Sequence, residues 1–128
     1  MEPVAGGDAV LTRDVIGCVI AVHRELGPGM LESVYEECLC LELAQAGIAF
    51  ECQVAVPVTY RGTLVGIGFR IDVLIARELV VEIKAVEQVL PVHESQVLTY
   101  LRFGRFRLGL LMNFHARSLT AGLRRLSL

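Results

Sequence analysis

Lysine is almost missing from this chain. Of its 12 basic residues, Lys84 is the one lysine and the others are arginines. A lone lysine in such a background suggests that this position needs a compact ammonium group and not a planar guanidinium. The segment around Lys84 is therefore the first candidate for a functional site.

Long apolar runs are also missing. No run approaches the roughly 18–20 residues that a membrane span needs. The amino end, MEPVAGGDAV, has no basic region before an apolar stretch, so we expect no signal peptide and a cytoplasmic protein without a membrane partner. At 128 residues, the chain is predicted to form one domain over residues 1–128.

The cysteines lack the spacing of a metal site. No C-x-x-C pair occurs among the four, and we expect them to be reduced residues of the core: Cys18, Cys38, Cys40 and Cys52.

Acidic residues are absent from residues 95–128, which hold six arginines, whereas all 14 acids lie before that segment. Arg102 and Arg105, with Tyr100, are candidate contacts to nucleic-acid phosphates. The alternative is that these arginines pair with the acidic first helices, within or between subunits. The formal net charge of −2 argues against binding through a basic tail.

Apolar residues are in excess. They make up 54% of the chain without glycine, against about 45–50% with glycine in typical globular proteins. We therefore expect a homodimer or larger oligomer. The candidate contact surfaces are the first helix, with Val10, Ile16 and Ile20, and an edge strand near residues 54–58.

Residues 69–85, FRIDVLIARELVVEIKA, alternate with a period of two and are rich in β-branched residues, which predicts a hairpin. If residues 76–78 form the loop, Ile75 pairs with Leu79. Asp72 then lies opposite Glu82, with Cβ atoms about 4.5–5.5 Å apart. Lys84 falls on the same face as Glu82.

Opposed carboxylates destabilise a sheet unless a cation or a raised pKa offsets their repulsion. Two carboxylates leave most of a coordination sphere to water and substrate oxygens, as Mg²⁺ prefers. The Lys84 ammonium adds a charge that can orient water or a phosphate. The alternative is a surface hairpin with an ordinary cross-strand salt bridge.

The remaining elements follow from periodicity and from glycine and proline positions. Pro57 places the first strand at an edge of the sheet. The order gives an α/β sandwich with a mixed sheet and an extra N-terminal helix. The predicted elements are helices 9–26, 30–46 and 91–103, strands 48–60, 64–75, 79–86 and 107–112, and a closing strand or helix in 119–128.

Several of these residues resemble a known family. Asp72 followed by Glu82-Ile83-Lys84 resembles the D…(D/E)-x-K signature of the PD-(D/E)XK nuclease superfamily. The segment GMLESVY, residues 29–35, matches G-x-x-E-x-x-Y, which names the bacterial GxxExxY proteins of that superfamily. The runs VVEIKAVEQVLPVHESQVLTYLRFG and LGLLMNF are also similar to that family, and the resemblance covers roughly residues 10–126.

The resemblance implies a restriction-endonuclease-like αβββαβ core and a Mg²⁺- or Mn²⁺-dependent nuclease, with DNA as the expected substrate. Asp72 and Glu82 would be metal ligands and Lys84 would position or activate the attacking water. Glu32, in the first turn of its helix, is either favoured there by the helix dipole or is a third ligand. Tyr35, three residues later, lies on the same side of that helix as Glu32.

Gln96 resembles the auxiliary glutamine of related nucleases, or else belongs to a solvated helix side. Because the superfamily contains inactive members, two alternative functions remain. One is a non-catalytic protein that uses the fold to assemble with itself or a partner. The other is a module that binds nucleic acid without cutting it.

Overall fold

The computed structural model describes residues 5–128, apart from the side chains of residues 5–8 and 67. Helices and strands follow one another in the predicted order. Their bounds are α1 Ala5–Leu26, α2 Glu32–Gln45, β1 Phe50–Tyr60, β2 Thr63–Ile75, β3 Leu79–Lys84, α3 Pro91–Gly104, β4 Leu108–Asn113, α4 Leu119–Gly122 and β5 Leu123–Ser127.

The strands form a mixed five-stranded sheet in the order β1-β2-β3-β4-β5 within the described residues. The β3–β4 pair is parallel and the other neighbours are antiparallel. Helix α3 makes the crossover that a parallel pair requires. The predicted α/β fold with an αβββαβ core and an extra N-terminal helix is confirmed, and β5 extends the sheet.

Helices cover both faces of the sheet. One apolar cluster joins α1 and α2 to alternate residues of the inner strands, among them Val81 and Met112. A second cluster joins α3 to the opposite face through Val80 and Leu111. Consecutive residues along β3, and along β4, therefore face opposite helix layers, which explains why both strands are apolar on both sides.

Glycines end the first two helices at the predicted positions. Gly27 and Gly47 have φ values of 66° and 72°, a left-handed conformation that glycine adopts without steric cost. Helix α2 begins at Glu32, with Leu31 as its extended N-cap. Leu31 is 73% exposed although it is apolar, and the core position in the first turn of α2 belongs to Tyr35.

The undecided segment 119–128 contains both structures, the short helix α4 and the strand β5. The Ser118 hydroxyl caps α4 by accepting a hydrogen bond from the Ala121 N–H at 3.2 Å. After Gly122, the chain pairs with β4 from Leu123 to Ser127. Periodicity could not separate two such short elements.

Strand β1 is an edge strand, as Pro57 predicted, and its register shifts on both sides of Pro57. The prediction of an exposed apolar surface at residues 54–58 is wrong in part, because Val56 is buried against α3. Exposed apolar side chains lie instead at the tip of the β1–β2 hairpin: Tyr60, Leu64 and Val65.

The four cysteines are free thiols, as expected. Their placement in the core is confirmed for Cys18, but Cys52 is exposed on β1 and Cys38 and Cys40 are half-buried. In the part of the chain that the structure describes, no helix is long and apolar enough to cross a membrane.

Candidate metal and phosphodiester site

The central hairpin sets the position of the two carboxylates. Ile75 pairs with Leu79 and Val73 with Val81, which confirms the predicted loop and register. The ladder ends there, one pair short of Asp72 and Glu82. Asp72 Oδ2 instead accepts a hydrogen bond from the Ile83 N–H at 2.8 Å. The Asp72 carboxylate thus accepts a hydrogen bond from the β3 backbone at the point where the backbone pairing of β2 and β3 ends.

Glu82 is a buried acid, with 4% of its surface exposed. Its Oε1 has no hydrogen-bond partner among the described residues. Burial, and after it repulsion from the nearby Asp72, raise the pKa of Glu82 to about 8. Without a cation, Glu82 is therefore largely protonated at neutral pH.

Lys84 and Tyr100 both contact the other carboxylate oxygen of Glu82, Oε2. Lys84 Nζ lies 3.4 Å from Oε2, and its side chain is only 18% exposed. The Tyr100 hydroxyl donates to the same oxygen at 3.5 Å. Burial, followed by the charge of Glu82, raises the pKa of Tyr100 to about 12, so its hydroxyl stays protonated as a donor. The ammonium lowers the pKa of Glu82, but burial outweighs it.

Glu32 reaches the edge of this site from α2. Its Oε2 accepts a hydrogen bond from the Ala85 N–H, directly after Lys84, at 2.9 Å. The described residues contain no group of three His, Cys, Asp or Glu side chains arranged to hold a metal. Glu32 as a third ligand therefore stays a prediction, and Asp72 and Glu82 form the core of the site.

Sequence reasoning missed Glu36 and Gln53. The Gln53 amide donates to Glu36 Oε1 at 2.9 Å and to Asp72 Oδ1 at 3.5 Å. Burial raises the pKa of Glu36, Asp72 raises it further, and the Gln53 hydrogen bond opposes both. The spacing of Glu32 and Glu36 by four residues was the available signal.

Asn113 is a third residue that the sequence did not reveal. It is buried at the end of β4, where its side chain accepts from the Val86 N–H at 3.0 Å and donates to the Val86 carbonyl at 2.8 Å. The Phe114 N–H also donates to the Lys84 carbonyl at 2.9 Å. These bonds fix the chain that follows Lys84 and thereby the end of β3.

Gln96 and Tyr100 share a helix face and line the same groove, but they differ in exposure. Gln96 is exposed and, with Gly68 and Phe69 of β2, lines a groove between β2 and α3. Tyr100 is buried and stacks on Phe69, with ring centroids 4.4 Å apart. Tyr100, predicted as a nucleic-acid contact, is thus placed beneath Glu82, and Gln96 lies at the open side of α3.

Tyr35 packs in the core. It is fully buried and stacks on Phe114, with ring centroids 4.4 Å apart. Its hydroxyl donates to the Gly27 carbonyl at 2.5 Å and accepts from the Met30 N–H at 3.1 Å. The hydroxyl thus ties α2 to the loop after α1, which gives this tyrosine a structural role.

The two candidate phosphate contacts are exposed near the end of α3. The Arg102 guanidinium lies 4.7 Å from the centre of the Phe103 ring. Arg105 lines a pocket with Leu79, at the start of β3. Lys84 lies at the other end of β3. Since a strand rises about 3.3 Å per residue, Arg105 and Lys84 are separated by the length of β3.

A buried and a half-buried carboxylate beside a lysine are groups that can hold a divalent metal and position a phosphate. The family model of the PD-(D/E)XK nuclease superfamily matches residues 9–126, and the chain belongs to that superfamily. Its members generally depend on a divalent metal. Searches of curated proteins and of solved structures found no match.

Proposed function

We propose that this protein is a Mg²⁺- or Mn²⁺-dependent nuclease of the GxxExxY type that hydrolyses phosphodiester bonds, with DNA as its substrate. The observation that supports this most directly is the buried Glu82 carboxylate. Its Oε1 has no hydrogen-bond partner among the described residues, and a second carboxylate, Asp72, lies nearby. A buried polar atom without a partner is costly and needs an explanation.

A divalent cation fits this pair of residues. Two carboxylate oxygens are hard ligands of the kind that Mg²⁺ binds, and water or substrate would complete the coordination. A cation would replace the proton that burial and Asp72 hold on Glu82. Asp72 and Glu82 are therefore the residues that would hold the ion.

The ion would supply Lewis-acid stabilisation of phosphate charge and would lower the pKa of a bound water. Lys84 would donate hydrogen bonds to the attacking water or to a phosphate oxygen, since its ammonium is charged and held at the end of β3. The Ile83 N–H would keep the Asp72 carboxylate in place, and the Tyr100 hydroxyl would do the same for Glu82.

The test is cleavage of single-stranded, duplex and branched DNA, and of RNA, with Mn²⁺. We expect cleavage by the wild type, none by Lys84→Ala or Glu82→Gln, and full cleavage by Glu87→Gln. Glu87 is an exposed acid three residues after Lys84 and serves as the matched control.

Circular dichroism of each variant verifies the fold. Binding without cleavage by the wild type would favour a non-catalytic nucleic-acid module. A wild type that neither binds nor cuts would favour an assembly protein.

A further inference from the structure

Gln53 has an unusual backbone for a residue inside a strand. Its φ is 53°, in the left-handed region that non-glycine residues seldom adopt. Its neighbours Cys52 and Val54 are paired with β2 in the ordinary way, opposite Val73 and Ile71. The distortion is therefore confined to Gln53, and such local strain persists only where surrounding contacts fix it.

The contacts of Gln53 lead to the metal site. Its amide donates to Glu36 Oε1 at 2.9 Å and to Asp72 Oδ1 at 3.5 Å. Asp72 Oδ2 is held by the Ile83 N–H. Both oxygens of the Asp72 carboxylate thus have a donor, one from β3 and one from β1, and the orientation of the carboxylate is fixed from two sides.

Glu36 adds a further carboxylate to the same region. It lies one helical turn after Glu32 and is only half-exposed. The Gln53 amide joins Glu36 to Asp72, so the negative charge of α2 is held close to the proposed cation. Residues that orient the ligands of a metal commonly change its affinity about 10- to 100-fold when they are removed.

We propose that Gln53 is a positioning residue for the cation site, which holds Asp72 in place and keeps the Glu36 carboxylate beside it. This inference rests on the proposed function and extends it to two residues outside the D…E-x-K pattern. The left-handed backbone of Gln53 would then persist because it places the amide between Glu36 and Asp72.

Mn²⁺ binding, measured by calorimetry on the full chain, tests the inference together with the thermal stability in EDTA. We expect Gln53→Gly to weaken Mn²⁺ binding about 10-fold. Its melting temperature in EDTA should not fall, because glycine accepts a φ of 53° without strain. Glu36→Gln should also weaken binding, and Glu37→Gln, a change at the exposed neighbouring acid, should leave it unaltered.

A purely structural role for Gln53 would lower the melting temperature and leave the affinity for Mn²⁺ unchanged. Equal Mn²⁺ affinity in the wild type and Gln53→Gly would overturn this inference and leave the proposed function standing. A wild type that binds no Mn²⁺ would overturn both. Gln53→Asn, which also tolerates the left-handed backbone but is one methylene shorter, repeats the test with an amide present.

A separate observation concerns Cys40 and Cys52. Their sulfur atoms lie 2.9 Å apart, which joins the half-buried side of α2 to the exposed face of β1. Twelve residues separate them in sequence, so the packing of α2 on β1 creates this contact. The other two cysteines, Cys18 and Cys38, are free thiols as well.

We further propose that Cys40 and Cys52 form a reversible disulfide when the protein meets a small-molecule disulfide such as oxidised glutathione. The exposed Cys52, as its thiolate, attacks one sulfur of the reagent, forms a mixed disulfide and releases one thiolate. Cys40 then loses its proton and attacks Cys52 Sγ, which releases the second thiolate. Two protein thiols are oxidised and one reagent disulfide is reduced to two thiols.

Because Cys52 is exposed and Cys40 is half-buried, Cys52 is the attacking residue and Cys40 the resolving one. Burial also raises the pKa of Cys40 to about 12. Intact mass after oxidation of the native chain should show the loss of two hydrogen atoms. Peptide mapping should then find a Cys40–Cys52 link, which should also form in Cys38→Ser. Cys52→Ser should not form it.

Cys40→Ser should stop at a glutathione adduct on Cys52. An adduct on Cys52 that persists in the wild type, or an internal link through Cys18 or Cys38, would overturn this second proposal.

Discussion

Lys84 Nζ lies 3.4 Å from Glu82 Oε2, while Oε1 of the same carboxylate has no partner among the described residues. The lysine therefore satisfies one side of a buried acid and leaves the other side open. Because burial raises the pKa of Glu82 to about 8, this acid is mostly protonated at pH 7 without a cation. A cation at Oε1 would convert it into an ionised site.

Divalent cations are expected to stabilise the protein. Mg²⁺ or Mn²⁺ should raise the melting temperature, since an ion that binds only the folded chain adds about 2.7 kcal/mol at a hundredfold excess over its Kd. Asp72→Asn should abolish that gain, whereas Glu87→Gln should retain it. Thermal scans in EDTA and in millimolar Mn²⁺ measure both, and a wild-type curve indifferent to both ions would contradict a metal site.

The stability of the metal-free protein should fall as the pH rises. Glu82 has a higher pKa in the folded chain than its ordinary value of 4.5. The folded state therefore holds the proton more tightly than the unfolded state, and stability is lost between about pH 4.5 and pH 8. Urea unfolding in EDTA from pH 5 to pH 8 measures this loss.

Glu82→Gln isolates the contribution of Glu82 to that pH dependence. The neutral amide removes the titration, so the free energy of unfolding should change less across the same interval and exceed that of the wild type at pH 8. Parallel curves for the two proteins would show that Glu82 does not carry the raised pKa.

Tyr35 should contribute to stability and not to metal binding. Tyr35→Phe removes the hydroxyl that donates to the Gly27 carbonyl and accepts from the Met30 N–H. At about 0.5–1.5 kcal/mol for each bond, we expect a loss of about 1–3 kcal/mol in the free energy of unfolding. Tyr60→Phe, at an exposed tyrosine, is the control.

Calorimetry with Mn²⁺ should give the same Kd for Tyr35→Phe as for the wild type. A weaker Mn²⁺ affinity in Tyr35→Phe, at unchanged stability, would instead restore the role at the site that the sequence suggested.

We expect a homodimer or larger oligomer, with the exposed tip of the β1–β2 hairpin as the contact. Tyr60, Leu64 and Val65 are each more than half exposed there, and monomers seldom leave contiguous apolar patches uncovered. Light scattering at micromolar concentration should give at least twice the chain mass. Leu64→Lys should reduce it to one chain, and Leu41→Lys, an exposed position on α2, should not.

A wild-type monomer at that concentration would contradict this expectation and would remove the main argument for an assembly protein.

The sequence by itself determined the hairpin that carries the chemistry. Alternation with a period of two assigns each residue of β2 and β3 to a face, and the three-residue loop then fixes the pairing of Ile75 with Leu79. Asp72, Glu82 and Lys84 could be found because their spacing is local. The helix ends at Gly27 and Gly47 were equally predictable, because a glycine directly after an apolar helical stretch is typical of a left-handed helix end.

Only the tertiary structure decided which distant side chains meet. Gln53 bridges Glu36 and Asp72, Asn113 holds Val86, and Cys40 contacts Cys52. Each contact depends on how a helix or neighbouring strand is placed against the sheet. A periodic pattern states which side of an element is buried but not which residue lies opposite it. The same limit explains Tyr35, whose partners come from the loop after α1 and from the end of β4.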